Sequence, residues 1–229
     1  MRHLRMPFFL DLAYLATSLN AILSMSGRIA FRPAEPCDAA KVVALIRSSG
    51  PQAIAYGFGT ARSDGSDFLQ NTFVGGTAFF GWRNHRVALL DGEIAAVAAA
   101  YDLPAYLRLS VQHLAQVWRF FGARAFASRM RRGMQLQALM PAPGLSMHYL
   151  ADFGVREDLR GRGIGHHFLE YQTALARAAG RRCLALDVST DNPGAQALYA
   201  RFGLQVIRRN RFGGAPGLVA DTLRMEMAL

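Results

Sequence analysis

One stretch limits the folds open to this chain more than any other: Val155-Arg156-Glu157-Asp158-Leu159-Arg160-Gly161-Arg162-Gly163-Ile164-Gly165. It follows an apolar run and opens an amphipathic helix, so a strand must end and a helix begin around a single turn. Gly161, Gly163 and Gly165 at alternate positions let the backbone approach an anion closely. The N–H groups they bare sit at a helix N-terminus, where unpaired donors and the dipole both favour phosphate. Arg160 and Arg162 add positive charge to the turn. A dinucleotide fingerprint does not fit, because counting from Gly161 puts His166 where the third glycine should be. A P-loop does not fit either, since the Gly-Lys-Ser/Thr triplet is absent.

A second block follows in order. Arg182 to Val188 is a short apolar strand, Ser189-Thr190-Asp191-Asn192-Pro193 starts a helix that carries Tyr199, and that helix ends at Phe202-Gly203-Leu204. The two blocks together, over about Met147 to Arg209, resemble the GNAT superfamily of acyl-CoA-dependent N-acetyltransferases. The resemblance implies an α+β, three-layer fold. Its central sheet is mixed but mostly antiparallel, has about seven strands, and splays between the fourth and fifth. It also implies acetyl-CoA as co-substrate, with no metal.

The same resemblance places site residues. Phe153, Gly154 and Val155, at the end of the fourth strand, lie along the pantetheine and thioester. Gly154 also suits a strand irregularity on physical grounds, against the plainer reading of a glycine tolerated in an ordinary strand. Arg160, Gly161, Arg162, Gly163, Ile164 and Gly165 take the pyrophosphate, although Arg162 could equally point into solvent. Asn192 contacts the cofactor, and before Pro193 it also reads as a helix N-cap. Tyr199 is the general acid for the leaving sulfur, against the alternative of a tyrosine packed beside Phe202. Where some members place a basic glutamate, this chain has Tyr149. Tyr149 and Asp152 are therefore the candidates for base or water relay, with His148 and Asp187 as further options.

Around these blocks, residues 28–229 read as one domain. Arg28 to Arg32 is a first strand and Glu35 to Ser49 a helix opened by Pro36 and Asp38. Residues 50–71 read as loop with a short helix. Arg86 to Leu90, Asp91-Gly92, then Glu93 to Tyr101 is a hairpin. Residues of about 103–143 are an insertion before the fourth strand, read as a helical pair. Leu107, Val111, Leu114 and Val117-Trp118 recur at helical spacing in its first part, and arginines lie on the outer face of its second. Gln205 to Arg209 and Thr222 to Met227 close the sheet as an antiparallel pair.

Residues 1–27 resemble a signal peptide superficially, but Asp11 interrupts the apolar run and no small-x-small site precedes Arg28. They read as a peripheral helix or an extension upstream of a start at Met25. The two cysteines, Cys37 and Cys183, form no evident framework, which points to a reduced, cytoplasmic protein. The net charge of +10 includes a single lysine, Lys41. Between Leu103 and Ala151 there is no acidic residue, while Arg108, Arg119, Arg124, Arg129, Arg131 and Arg132 fall there. Such a stretch favours an acidic or carboxylate-bearing acceptor over a polyamine.

The expected reaction is acetyl transfer from acetyl-CoA to the amine of a small molecule or a protein, by direct attack, in a chain that could pair as a homodimer. The rival readings are an inactive acetyl-CoA sensor or a binder of an anionic membrane or nucleic acid. No recognised DNA-reading motif or aromatic RNA platform supports the latter.

Overall fold

The computed structural model describes residues 29–229. The stretch 1–27 and Arg28 lie outside the described residues. Seven strands form one sheet in the order β1-β2-β3-β4-β5-β7-β6: β1 Ile29–Pro33, β2 His85–Leu90, β3 Glu93–Tyr101, β4 Met147–Val155, β5 Cys183–Ser189, β6 Gln205–Asn210 and β7 Thr222–Ala228. Every neighbouring pair is antiparallel except β4 and β5. The mostly antiparallel mixed sheet and its flanking helices bear out the expected fold class.

Helices α1 Ala39–Ser49, α2 Pro51–Phe58 and α3 Ser66–Gly75 precede the hairpin, α4 Leu103–Gln137 occupies the insertion, and α5 Ile164–Ala178 and α6 Pro193–Phe202 follow β4 and β5. Along β2 and β3 the side chains alternate between two cores. Val87 and Val97 join Val42, Ile46, Leu69 and Phe73 of α1 and α3. Ala88, Ala96 and Ala98 join Phe168, Leu169 and Tyr199 of α5 and α6. The period of two in the strands thus distributes helices to both faces.

Two helices, α2 and α3, stand where the sequence predicts mainly loop. Each is only two to three turns long, too short for a helical period to emerge from a tract rich in Gly and Ser. Pro51 at the first helical position starts α2, and Gly65, with φ 99°, precedes α3.

The helix α4 is regular except at Gly122, whose φ 72° and ψ 173° divide it into two halves, and residues 138–143 that complete the insertion are turn and loop. Its first half turns Leu109, His113 and Val117 inward at a spacing of four. Of the residues that marked it as a helix, only Val117 is among these, while Leu107, Val111, Leu114 and Trp118 are exposed. In the second half the arginines are not all on an outer face. Arg129 donates to the carbonyls of Gly57 and Gly59 at 3.0 and 2.8 Å, and Arg132 to that of Tyr56 at 3.1 Å. Both cations cap the C-terminal end of α2, where the helix dipole favours them.

Beneath the insertion, Asp187 of β5 accepts from Tyr149 Oη at 2.7 Å, from Asn210 Nδ2 at 2.8 Å, and from Arg224 Nε and Nη2 at 3.0 and 2.9 Å. The Asp187 and Arg224 side chains are only 1 and 3% exposed. Burial pulls the Arg224 guanidinium down, but the hydrogen bonds and charge of Asp187 outweigh it and its pKa is raised. Asp187→Asn leaves that guanidinium buried without its countercharge. It should therefore lower unfolding free energy by about 3–5 kcal/mol, measured by urea denaturation.

Candidate functional site

The site begins with a fault in the sheet. β3 and β4 pair through Ala99–Ala151 and again through Val97–Gly154, so Asp152 and Phe153 together oppose Ala98 alone. This is a β-bulge, and Asp152 adopts a left-handed φ of 54° to make it. On its other edge β4 pairs with β5 only from Met147–Cys183 to Leu150–Leu186. Beyond that point the two strands separate. Gly154 has a further reason to be glycine: a Cβ there would stand 2.3 Å from the Leu45 carbonyl oxygen of α1.

Two cavities open from the separation and share Ser49, Phe153, Asn192, Ala195 and Tyr199 as walls. One, of about 550 Å³, runs along Gly154 and Val155 to Arg160, Gly161, Gly163, Ile164 and Gly165. Gly161 and Gly163 have φ values of 77° and 83°, a region that disfavours side chains. The amides of Gly161, Gly163, Ile164, Gly165 and His166 have no acceptor among the described residues. Five bare donors at the start of the 15-residue helix α5 form a fitting cradle for a diphosphate. Arg160 donates to the Val155 carbonyl at 3.3 Å and stays at the cavity wall. Arg162 is not among the lining residues. Arg201, which the sequence reading passed over, is. It lies seven residues after Gly194 and three after Leu198, on the same face of α6, a spacing that could have revealed it.

Asn192 serves as N-cap, its Oδ1 accepting from the Ala195 amide at 3.1 Å, and it also walls both cavities. Tyr199 is buried beside Phe153, with ring centroids 6.2 Å apart. Burial alone raises its phenol, which therefore remains a neutral donor.

The second cavity, of about 420 Å³, reaches from that junction under α4. Of the four candidates for base, Tyr149, Asp152 and Asp187 line it and His148 does not. Tyr149 is tied to Asp187, and burial followed by the Asp187 charge raises its phenol well above the ordinary range. Asp187 is engaged by its four donors. His148 points toward α5, its Nε2 2.9 Å from Gln172 Oε1, and burial lowers its pKa. Asp152 faces the cavity, with Oδ2 3.4 Å from Nε2 of His85.

His85 went unremarked in the sequence, since nothing local links it to a residue 67 positions away. Its Nδ1 is 3.0 Å from the Gly81 carbonyl, an acceptor, so Nδ1 carries a proton. Nε2 is completely buried and without a hydrogen-bond donor, and it faces a carboxylate. The Asp152 carboxylate is the polar group nearest to that unpartnered ring nitrogen, at 3.4 Å.

No arginine or lysine lines this cavity among the described residues. The acidic acceptor inferred from the arginine-rich insertion therefore loses its basis. Arg129 and Arg132, the two arginines of that helix nearest the site, are spent on carbonyls of α2.

His113, in the cavity wall, packs among Phe58, Phe68, Phe79 and Phe80. Burial pushes its pKa down to about 4. The folded state then binds fewer protons than the unfolded one between that value and about 6.5, so stability is complete above the upper limit and falls as pH drops through the window. Wild type should lose about 2 kcal/mol more than His113→Phe between about pH 7.5 and about pH 5, read from urea midpoints of both proteins.

The profile of the Acetyltransferase (GNAT) family matches residues 61–204, more than half of the chain. Among solved structures, one described as an acetyltransferase aligns at TM-score 0.62 and 21% identity, covering 87% of this chain and 98% of that one. An N-acetyltransferase from Staphylococcus aureus Mu50 aligns at TM-score 0.63 and 14% identity, covering 86 and 100%. The yncA protein of Salmonella typhimurium, solved with its cofactor acetyl-CoA, aligns at TM-score 0.50 and 14% identity, covering 88 and 94%. No curated protein matches the chain in sequence. Among the described residues, no helix is long and apolar enough to cross a membrane.

Proposed function

The chain belongs to the GNAT family of acetyltransferases, and from that premise we propose that it moves an acetyl group from acetyl-CoA to the primary amine of a small molecule by direct attack. The observation that carries this reading is the meeting of two cavities at the separated β4 and β5 strands. One is lined by bare amides, and the other holds a carboxylate backed by a buried histidine. Acetyl-CoA supplies the activated acyl group as a thioester.

The chain's own residues supply the rest. The amides of Gly161, Gly163, Ile164, Gly165 and His166, with Arg160 and Arg201, hold the diphosphate. The edge of β4 from Ala151 to Val155, left unpaired on its β5 side, offers main-chain groups to the pantetheine and to the thioester oxygen. Asp152 receives the ammonium proton, with the His85 ring nitrogen 3.4 Å behind it. The freed amine nitrogen then bonds to the acetyl carbon as the carbon–sulfur bond breaks. Tyr199 donates the proton that leaves the sulfur as a thiol and is reprotonated at the expense of the proton held by Asp152, while the second proton from nitrogen is released to solvent.

Each role has its own signature. Tyr199→Phe should lower kcat by about 10²–10³ while coenzyme A affinity, measured by calorimetry, stays within about twofold. Unchanged turnover would remove Tyr199 from the chemistry. Asp152→Asn should lower kcat/KM by about a hundredfold near neutral pH. That deficit should shrink as the pH approaches the pKa of the amine, because free amine no longer needs a base. A deficit independent of pH would mean that Asp152 does not take the proton.

A further inference from the structure

The acceptor cavity is unusual in what its polar atoms already do. Tyr101 Oη donates to the Phe79 carbonyl at 2.9 Å, Gln137 Nε2 donates to Tyr106 Oη, and Ser110 Oγ donates to the Tyr106 carbonyl at 2.8 Å. Asp187, at its base, is neutralised by Arg224. Asp152 is therefore the carboxylate left to meet a ligand, and it lies at the end where the two cavities join. Away from that end the wall is mostly carbon and sulfur, from Phe58, Phe79, Phe80, Met130 and Met134, and its one buried polar side-chain atom without a hydrogen-bond partner among the described residues is Nδ1 of His113. His113 among them is uncharged at neutral pH and neither repels an ammonium nor holds a carboxylate.

The geometry points to an amine with one charge and an apolar body, an alkyl or arylalkyl primary amine, as the acceptor. This inference rests on the acetyltransferase reading above. The ammonium sits at Asp152, and the hydrocarbon fills the space between α2 and the second half of α4. A second ammonium would lose its hydration deep in the cavity with no anion to replace it, and a carboxylate would find no cation. Aromatic and methionine side chains suit a flexible or planar apolar group. The volume lies within the range of small-molecule sites.

The test is thiol release from acetyl-CoA with propylamine, hexylamine, 2-phenylethylamine, spermidine and aspartate, beside calorimetry of hexylamine with the coenzyme A-loaded protein. Each added methylene should raise kcat/KM about fourfold up to hexylamine. The phenyl compound should rank with hexylamine, and spermidine and aspartate should fall at least about tenfold below both.

Spermidine or aspartate turned over as well as hexylamine would overturn the acceptor class while leaving acetyl transfer standing; for spermidine it would mean that the rings serve a second cation. Hexylamine that binds without turnover keeps the acceptor class and removes the enzymatic reading, and hexylamine that neither binds nor reacts overturns the acceptor class. Met134 is 65% exposed, so Met134→Glu should fold. It should shift the ratio of 1,6-diaminohexane to hexylamine turnover upward by about tenfold through its new charge. An unchanged ratio would show that this wall does not meet the acceptor and would overturn the inference.

Discussion

Everything at the site follows from the loss of pairing between β4 and β5 after Leu150 and Leu186. A parallel pair that simply continued would satisfy its own backbone and leave no room for a ligand. Here the bulge at Asp152 and Phe153 bends β4 away, and just before it the strands are clamped by Tyr149, Asp187 and Arg224. The clamp at Tyr149 and the bulge at Asp152 and Phe153 are three to four residues apart on β4. Separation therefore starts at a defined place rather than fraying along the strand.

That arrangement also divides labour within β4. Tyr149 and Asp152 both line the cavity under α4, yet Tyr149 is held by Asp187 while Asp152 faces the open space. A buried ion pair adds little net stability over well-packed hydrocarbon, but removing one partner is costly. The positioning of the two strands thus depends on a charge pair that tolerates little change.

Local chemistry was legible in the sequence, and assembly across distance was not. The alternating glycines before α5, the Asp91-Gly92 hairpin and the Asn192-Pro193 helix start each state their geometry within a few residues. The extent of β4 and the antiparallel pairing of the last two strands were legible as well. Three features escaped. The helices α2 and α3 are too short to show a period, His85 meets Asp152 only through the sheet, and Arg129 and Arg132 reveal their partners only once α2 exists. Composition misled where it was read as surface: positive charge in the insertion is partly consumed inside the protein. The outward stripe of Leu107, Val111, Leu114 and Trp118 identified a helix correctly but not which side it buries.

The non-helical joint at Gly122 separates a first half of α4 that packs on the sheet from a second half held to α2 by two guanidinium groups. The wall that α2 and the distal half give to the cavity therefore rests on anchors separate from those that seat the proximal half, through Leu109, against Tyr101 and Tyr149 of the sheet.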